Sequence, residues 1–345
     1  MMRRFLIKIS YTVLPLWLVF FCGGLVYRYY IVPNLSGDLG RLGKLAFGHE
    51  YKQALDSNLL KECWVDDFNG KLTKEYKIIT IGDSFSQQGK AGYQNYLGYL
   101  LKSKVLNIRP ANGVSPEQLA LSLLRTGWLK EMSPRVVVVE TVERQLVNNL
   151  FTLDFSRRPS AAAVRKQIYK KKTVAVPKSA DCLYETIYWM RLRLEIDNPV
   201  KKVELNKDLF SDFDNDLYFY YADLQRSSMK KEEKEKVYSI LDSLEQEFRQ
   251  QGTNFVYTVA ADKYDVYQPF VKDNIYPSCT LFDSLPDAQA PCYLINTMEI
   301  LRPLVRQGVK DVYIATDSHW SYIASEAVAW EIATLFHKTG IIGSL

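Results

Sequence analysis

Apolar residues fall along this chain in three patterns, and each predicts a different element. The first is an unbroken run: Ile9 to Tyr27 is nineteen residues without a charge, preceded by Arg3, Arg4 and Lys8 and closed by Arg28. A helix of that length spans the hydrocarbon core of a bilayer. The second is a set of short, β-branched runs at Tyr76 to Ile81, Val105 to Ile108, Val136 to Val139, Phe255 to Val259 and Val312 to Ile314. Such runs predict strands buried on both faces, as in a parallel sheet. The third is helical periodicity, clearest at Ser239 to Gln250, where Val237, Ile240, Leu241, Leu244 and Phe248 share a face and Gly252 supplies a stop. Strands alternating with helices predict an α/β fold whose sheet is covered on both sides.

These patterns divide the chain. Residues 1–30 read as a cytoplasmic tip and transmembrane anchor, because the positive charge before the apolar run holds the N-terminus inside and places the rest outside. A cleaved signal peptide is the competing reading, but no small-x-small cleavage site precedes Tyr27, Tyr29 and Tyr30. Lipid modification of Cys22 is disfavoured by Phe20 and Phe21, where small residues would be needed. Residues 31–75 read as a connecting segment with weak helical patterning and glycines at 37, 40, 43 and 48. Residues 76–345 form the main domain, with an insertion at about 151–230 where the alternation breaks down.

Charge and cysteine usage narrow the class. A net charge of +5 over 345 residues gives no general case for nucleic acid. Within the insertion, however, Arg157, Arg158, Arg165, Lys166, Lys170, Lys171, Lys172 and Lys178 occur with no acid between Asp154 and Asp181. That stretch is either a solvated loop or a surface for anionic lipid headgroups or an anionic polysaccharide. An exported domain permits disulfides, and Cys279 with Cys292 is the favoured pair, Cys63 with Cys182 the weaker one. No cysteine or histidine spacing resembles a zinc site, and neither metal nor cofactor is implied.

The candidate chemistry lies at two strand ends. Gly82-Asp83-Ser84 follows the first strong strand, and Ala315-Thr316-Asp317-Ser318-His319-Trp320 follows Val312 to Ile314. A serine hydroxyl needs a base to become a nucleophile, and histidine titrates in the right range. Of the three histidines, His49 lies in the connecting segment and His337 near the end of the last helix, while His319 has Asp317 two residues away to orient its ring. Both motifs belong at the carboxyl edge of a parallel sheet, where sites form in such folds. Around them, Asn112-Gly113 reads from the residues as a plain turn, and Arg144, beside Glu140 and Glu143, is either an ion-pair member or a substrate ligand. Lys263 and Tyr264 could line the cleft, and Trp320 could wall an acyl pocket or pack the motif.

Gly82-Asp83-Ser84 as a first block and Asp317-Ser318-His319 as a last one resemble the SGNH hydrolase superfamily over about residues 76–335. Three features resemble its AlgJ/AlgX-like branch, the polysaccharide O-acetyltransferases: Asp-x-His-Trp in place of Asp-x-x-His, Glu143-Arg144-Gln145-Leu146, and the Lys263 block after a strand. The motif order, serine before Asp-x-His, is instead that of ordinary SGNH enzymes and of the lipoteichoic-acid protein DltD. The usual third-block Gly-x-Asn-Asp is missing.

The resemblance implies a three-layer α/β/α, flavodoxin-like domain behind one transmembrane helix, with Ser84, His319 and Asp317 as triad and Asp83 beside them. Oxyanion donors would be Ser84 and Gly113, with Asn112 as a side-chain candidate. It implies an extracytoplasmic acetyltransferase acting on a polysaccharide, and a multi-span membrane-bound O-acyltransferase as donor partner. Two alternatives stay open: an acetyl esterase with the same triad, and a non-catalytic, membrane-tethered polysaccharide-binding or scaffold protein.

Overall fold

The computed structural model describes residues 2–26, 38–39, 49–169, 199–213, 215–225, 228–278, 281 and 293–341. The apolar N-terminal run is one helix, Met2–Val26, whose portion Lys8–Val26 has a mean hydropathy of 1.9. It is long and apolar enough to cross a membrane. Its apolar side chains lack cover from the rest of the protein, Val13 being 55% and Val19 68% exposed.

Among the described residues eight strands follow in chain order: β1 (Val65–Asp67), β2 (Ile78–Gly82), β3 (Val105–Ile108), β4 (Val136–Val142), β5 (Val200–Glu204), β6 (Asp216–Tyr220), β7 (Asn254–Ala260) and β8 (Leu294–Asn296). Six form a single sheet in the order β1-β3-β2-β4-β7-β8, with every pair parallel. Strands β2, β3 and β4 are buried along their whole length, as their unbroken apolar runs require. Helices Tyr93–Leu101 and Tyr322–Lys338 pack together on one face, and Pro116–Arg125, Leu146–Phe151 and Lys231–Gln250 on the other. The result is an α/β fold in three layers.

Setting the edge strand β1 aside, the remaining order is second, first, third, fourth, fifth: a doubly wound sheet. Its topological switch point lies between β2 and β4, where chain connections diverge to opposite faces and leave a crevice outside the carboxyl ends. Ser84 sits two residues beyond β2 at this crevice.

One expectation changes. Val312 to Ile314 is not a sheet strand. It folds back on itself through a single Tyr313–Trp320 bridge, with Ile314 N donating to His319 O (3.2 Å) and Ser321 N to Val312 O (3.1 Å). Asp311 enters this loop in the left-handed region (φ 56°), its carboxylate accepting from Tyr51 Oη (2.8 Å) and Ser211 N (3.0 Å). The sixth sheet position goes instead to Leu294–Asn296, beside β7. Within residues 151–230, helix Ala161–Gln167 and the antiparallel pair β5-β6 stand apart from the main sheet. Cys63 is free and exposed, whereas Cys182, Cys279 and Cys292 lie outside the described residues.

Candidate active site

Gly82 ends β2 because nothing larger fits there: a Cβ would collide with Ser86 Oγ and Glu140 Oε2. Beneath the turn, Ser86 is buried and donates to Glu140 Oε2 (2.8 Å), while Asn107 Nδ2 (2.7 Å) and Gln94 Nε2 (2.9 Å) hold its carbonyl. Burial, then the neighbouring Asp83 charge, push the Glu140 carboxyl well above the usual carboxylate range. Asp83 spans the crevice, accepting from Phe85 N (3.1 Å) and from Val142 N at the end of β4 (2.7 Å). Asp83 is thus a structural staple between the two switch-point strands. Ser84, by contrast, is exposed, and its side chain makes no hydrogen bond among the described residues.

The imidazole of His319 comes from the other side. Its Nδ1 is 2.5 Å from Asp317 Oδ1, which also accepts from the His319 amide (3.1 Å). Its Nε2 is buried without a partner, and the ring packs on Phe85, centroids 4.9 Å apart. The side-chain pair is thus formed, and the ring packs on the residue that follows Ser84 with Nε2 unpaired. No hydrogen bond joins Ser84 Oγ to Nε2, so the relay from serine to histidine is open in this structure. Burial lowers the His319 pKa, but Asp317, Asp38 and Asp83 outweigh it and the net shift is upward from 6.5. Asp317 is held well below its usual range: burial opposes this, but the hydrogen bond and charge of His319 prevail.

Asp38 is the residue that sequence reasoning missed. Its carboxylate accepts from Ser318 N (2.8 Å) and Ser318 Oγ (2.5 Å), and its own amide donates to Asp317 Oδ2 (3.0 Å). Nothing local marks it, because its partners lie 279 and 280 positions away.

The other residues singled out take varied places. Gly113 is exposed in a turn (φ 79°), and neither its amide nor that of Ser84 donates to another group among the described residues. Asn112 is exposed beside it. Arg144 binds Asp262 and, at 3.4 Å, the buried Asp223, and is an ion-pair member rather than an open cation. Tyr264 is fully buried, its hydroxyl bonded to Asn274 and Pro277 O. Trp320 is also fully buried, packed on Phe85 (4.8 Å) with Nε1 donating to Tyr313 Oη (2.9 Å), and does not wall an open pocket.

Lys263 does not line the cleft either. It is 1% exposed, and its Nζ donates to the carbonyls of Ile314 (2.9 Å), Ala315 (2.9 Å) and Asp317 (3.1 Å). It therefore clamps the loop that carries Asp317 and His319, in place of the sheet pairing that this segment lacks. Replacing it orphans three carbonyls, and Lys263→Met is expected to cost about 3 kcal/mol of stability. Burial pushes the amine down to about 7 from 10.5. Between those values the unfolded lysine holds a proton that the folded one has released, which leaves the neutral amine two donors to share among the three carbonyls and makes its contribution to stability rise with pH. Thermal unfolding should show the gap between wild type and Lys263→Met widening from pH 7 to 10.

A cavity of about 650 Å³ opens next to Asp83 and Gly113, lined by the side-chain amides of Gln118, Gln145, Asn148 and Asn149 together with Thr152 and Arg157. Beyond the Gln167 to Tyr169 segment lie two smaller adjoining cavities, of about 450 and 410 Å³, sharing Phe68, Asn69, Ile168 and Tyr169. In the first of them the Arg165 guanidinium lies over Trp128, 5.8 Å from the ring centre. Compared with family models, curated proteins and solved structures, this chain matches none. The functional reading rests on its own residues.

Among the described residues, two groups bring carboxylate or imidazole ligand atoms within 4.8 Å of one another: Asp38, Asp317 and His319, and Glu143, Asp262 and Asp265. In the first, Nδ1 is taken by Asp317; in the second, Glu143 accepts from the Asp262 amide (2.9 Å) and Asp262 holds Arg144. Asp38, Asp317 and His319 in the first, and Glu143 and Asp262 in the second, are already engaged by neighbouring groups.

Proposed function

We propose that this chain is a membrane-anchored acyltransferase of the SGNH type, working outside the cytoplasm through an acyl-enzyme on Ser84. The observation that carries the reading is the pairing of His319 Nδ1 with Asp317, which leaves Nε2 without a hydrogen-bond partner in a ring packed on Phe85, the residue after the exposed Ser84. In that role Nε2 takes the Ser84 proton as Oγ attacks the acyl carbonyl, and Asp317 stabilises the resulting imidazolium. The free amides of Ser84 and Gly113 are the donors available to the oxyanion, each worth about 3 kcal/mol when aligned. His319 then protonates the departing group. In the second half-reaction it deprotonates an acceptor hydroxyl, which attacks the acyl carbon and frees Ser84.

The cavity beside Asp83 supports a sugar as acceptor. Side-chain amides both donate and accept, which matches hydroxyls. Acetyl is the acyl group that the sequence resemblance implies, with a multi-span membrane-bound O-acyltransferase as donor. The anchor helix supports a membrane location, and the charge before it supports an extracytoplasmic domain in the inner, or cytoplasmic, membrane.

Hydrolysis would use the same groups, with water entering the second step. The two are separated by incubating the chain with an acetyl ester, with and without an oligosaccharide, and following acetylated sugar by mass spectrometry. Acetylated sugar at the expense of free acetate is expected. Acetate release that ignores the acceptor would make the protein an esterase.

A further inference from the structure

Asp38 belongs to the segment that leads from the membrane helix into the domain, yet it lies against the Asp317–His319 pair. Its contacts are reciprocal: its carboxylate takes both the amide and hydroxyl of Ser318, and its amide occupies the Asp317 oxygen that His319 does not use. Asp317 is thereby held at both oxygens, Oδ1 by the imidazole and Oδ2 by the Asp38 amide. Asp38 Oδ2 also stands 3.6 Å from His319 Nδ1, a second carboxylate on the same edge of the ring. The next residue, Leu39, is fully buried, which docks this short stretch in the domain.

We propose that Asp38 is a positioning residue for the Asp317–His319 pair, so that the site is complete only when the membrane-proximal chain is docked on it. This rests on the acyltransfer reading. Asp38 orients Asp317 through one amide, fixes the intervening Ser318, and adds negative charge beside the ring. The charged groups facing His319 are Asp317 from its own loop, Asp38 from the tether and Asp83 from the turn after β2, with Lys263 behind the loop. Eleven residues separate Val26, the end of the membrane helix, from Asp38, twelve steps along the chain. At most about 3.5 Å per residue, this links the site to the helix end by roughly 40 Å of chain. The acyl donor must therefore be delivered close to the bilayer.

The test is Asp38→Asn in the full chain, held in detergent micelles. Two readouts are taken: the His319 imidazole pKa by nuclear magnetic resonance, assigned with His319→Gln, and the pH dependence of kcat and KM. The histidine should titrate at lower pH than in wild type, the acid limb of kcat should move with it, and kcat should fall about tenfold with KM unchanged, in the range typical of positioning losses. Asp38→Glu, keeping the charge, should restore part of the titration. An unmoved titration together with an unmoved kcat profile overturns the proposal, as does a rise in KM alone, which would make Asp38 a substrate ligand. Because the titration is read without turnover, a shifted pKa in a protein that transfers no acyl group leaves the positioning in place and removes the acyltransfer reading.

Discussion

Ser84→Ala is expected to reduce acyl transfer by about 10³-fold or more while leaving the thermal midpoint within experimental error. The second half of that expectation is as informative as the first. Ser84 is exposed and its hydroxyl holds nothing together, so the fold loses no interaction when it goes. Ser86 is the control two residues away. It is buried against Glu140 Oε2 (2.8 Å) and Tyr93 Oη (3.2 Å), and Ser86→Ala is expected to cost about 1–2 kcal/mol of stability by leaving those groups unpaired. A chemical serine and a structural serine within one turn should therefore separate cleanly between an activity assay and an unfolding curve. If Ser84→Ala retained full transfer, Ser84 would not be the nucleophile, whatever else the site does.

The second large effect falls on the histidine's partner. Asp317→Asn is expected to lower transfer by about 10⁴-fold, because an amide in place of Oδ1 favours the wrong imidazole tautomer. It should also change the pH profile. In wild type, Asp317, Asp38 and Asp83 together raise the His319 pKa above 6.5, and the protonated ring cannot act as base. Activity should therefore climb with an acid limb above pH 6.5, and Asp317→Asn should move that limb to lower pH even as it lowers the plateau. The same charges act on stability. The imidazolium–carboxylate contribution is complete below pH 6.5 and lost as pH rises through the raised folded value, while the Asp317 contribution fades as pH falls below 3.8. A measured acid limb at or below the ordinary histidine range would show that these carboxylates do not face the ring as described.

How much of this was legible in the sequence differs by element. The sheet was, because β2, β3, β4 and β7 are buried on both faces and so carry unbroken β-branched runs. The loop carrying Asp317 and His319 was misread as a strand end. Val312 and Tyr313 are apolar because they are buried, with Ile314 partly buried against the core, and burial without sheet pairing leaves the same signature. What holds that loop is Lys263, a long-range clamp of one side chain on three carbonyls, which no local pattern announces. The catalytic candidates could be named because their chemistry shows in residue type and spacing. Asp38 could not, since its role exists only after folding has closed 279 intervening positions.

The central claim is a covalent acyl group on Ser84, and the most direct measurement is mass spectrometry of the peptide containing it. The full chain would be incubated with an activated acetyl ester, quenched in acid and digested. An acetyl group on Ser84, absent from Ser84→Ala and removed when an oligosaccharide acceptor is added before the quench, is the expected result. Acetyl transfer to the acceptor with no label ever found on Ser84, and undiminished in Ser84→Ala, would contradict it.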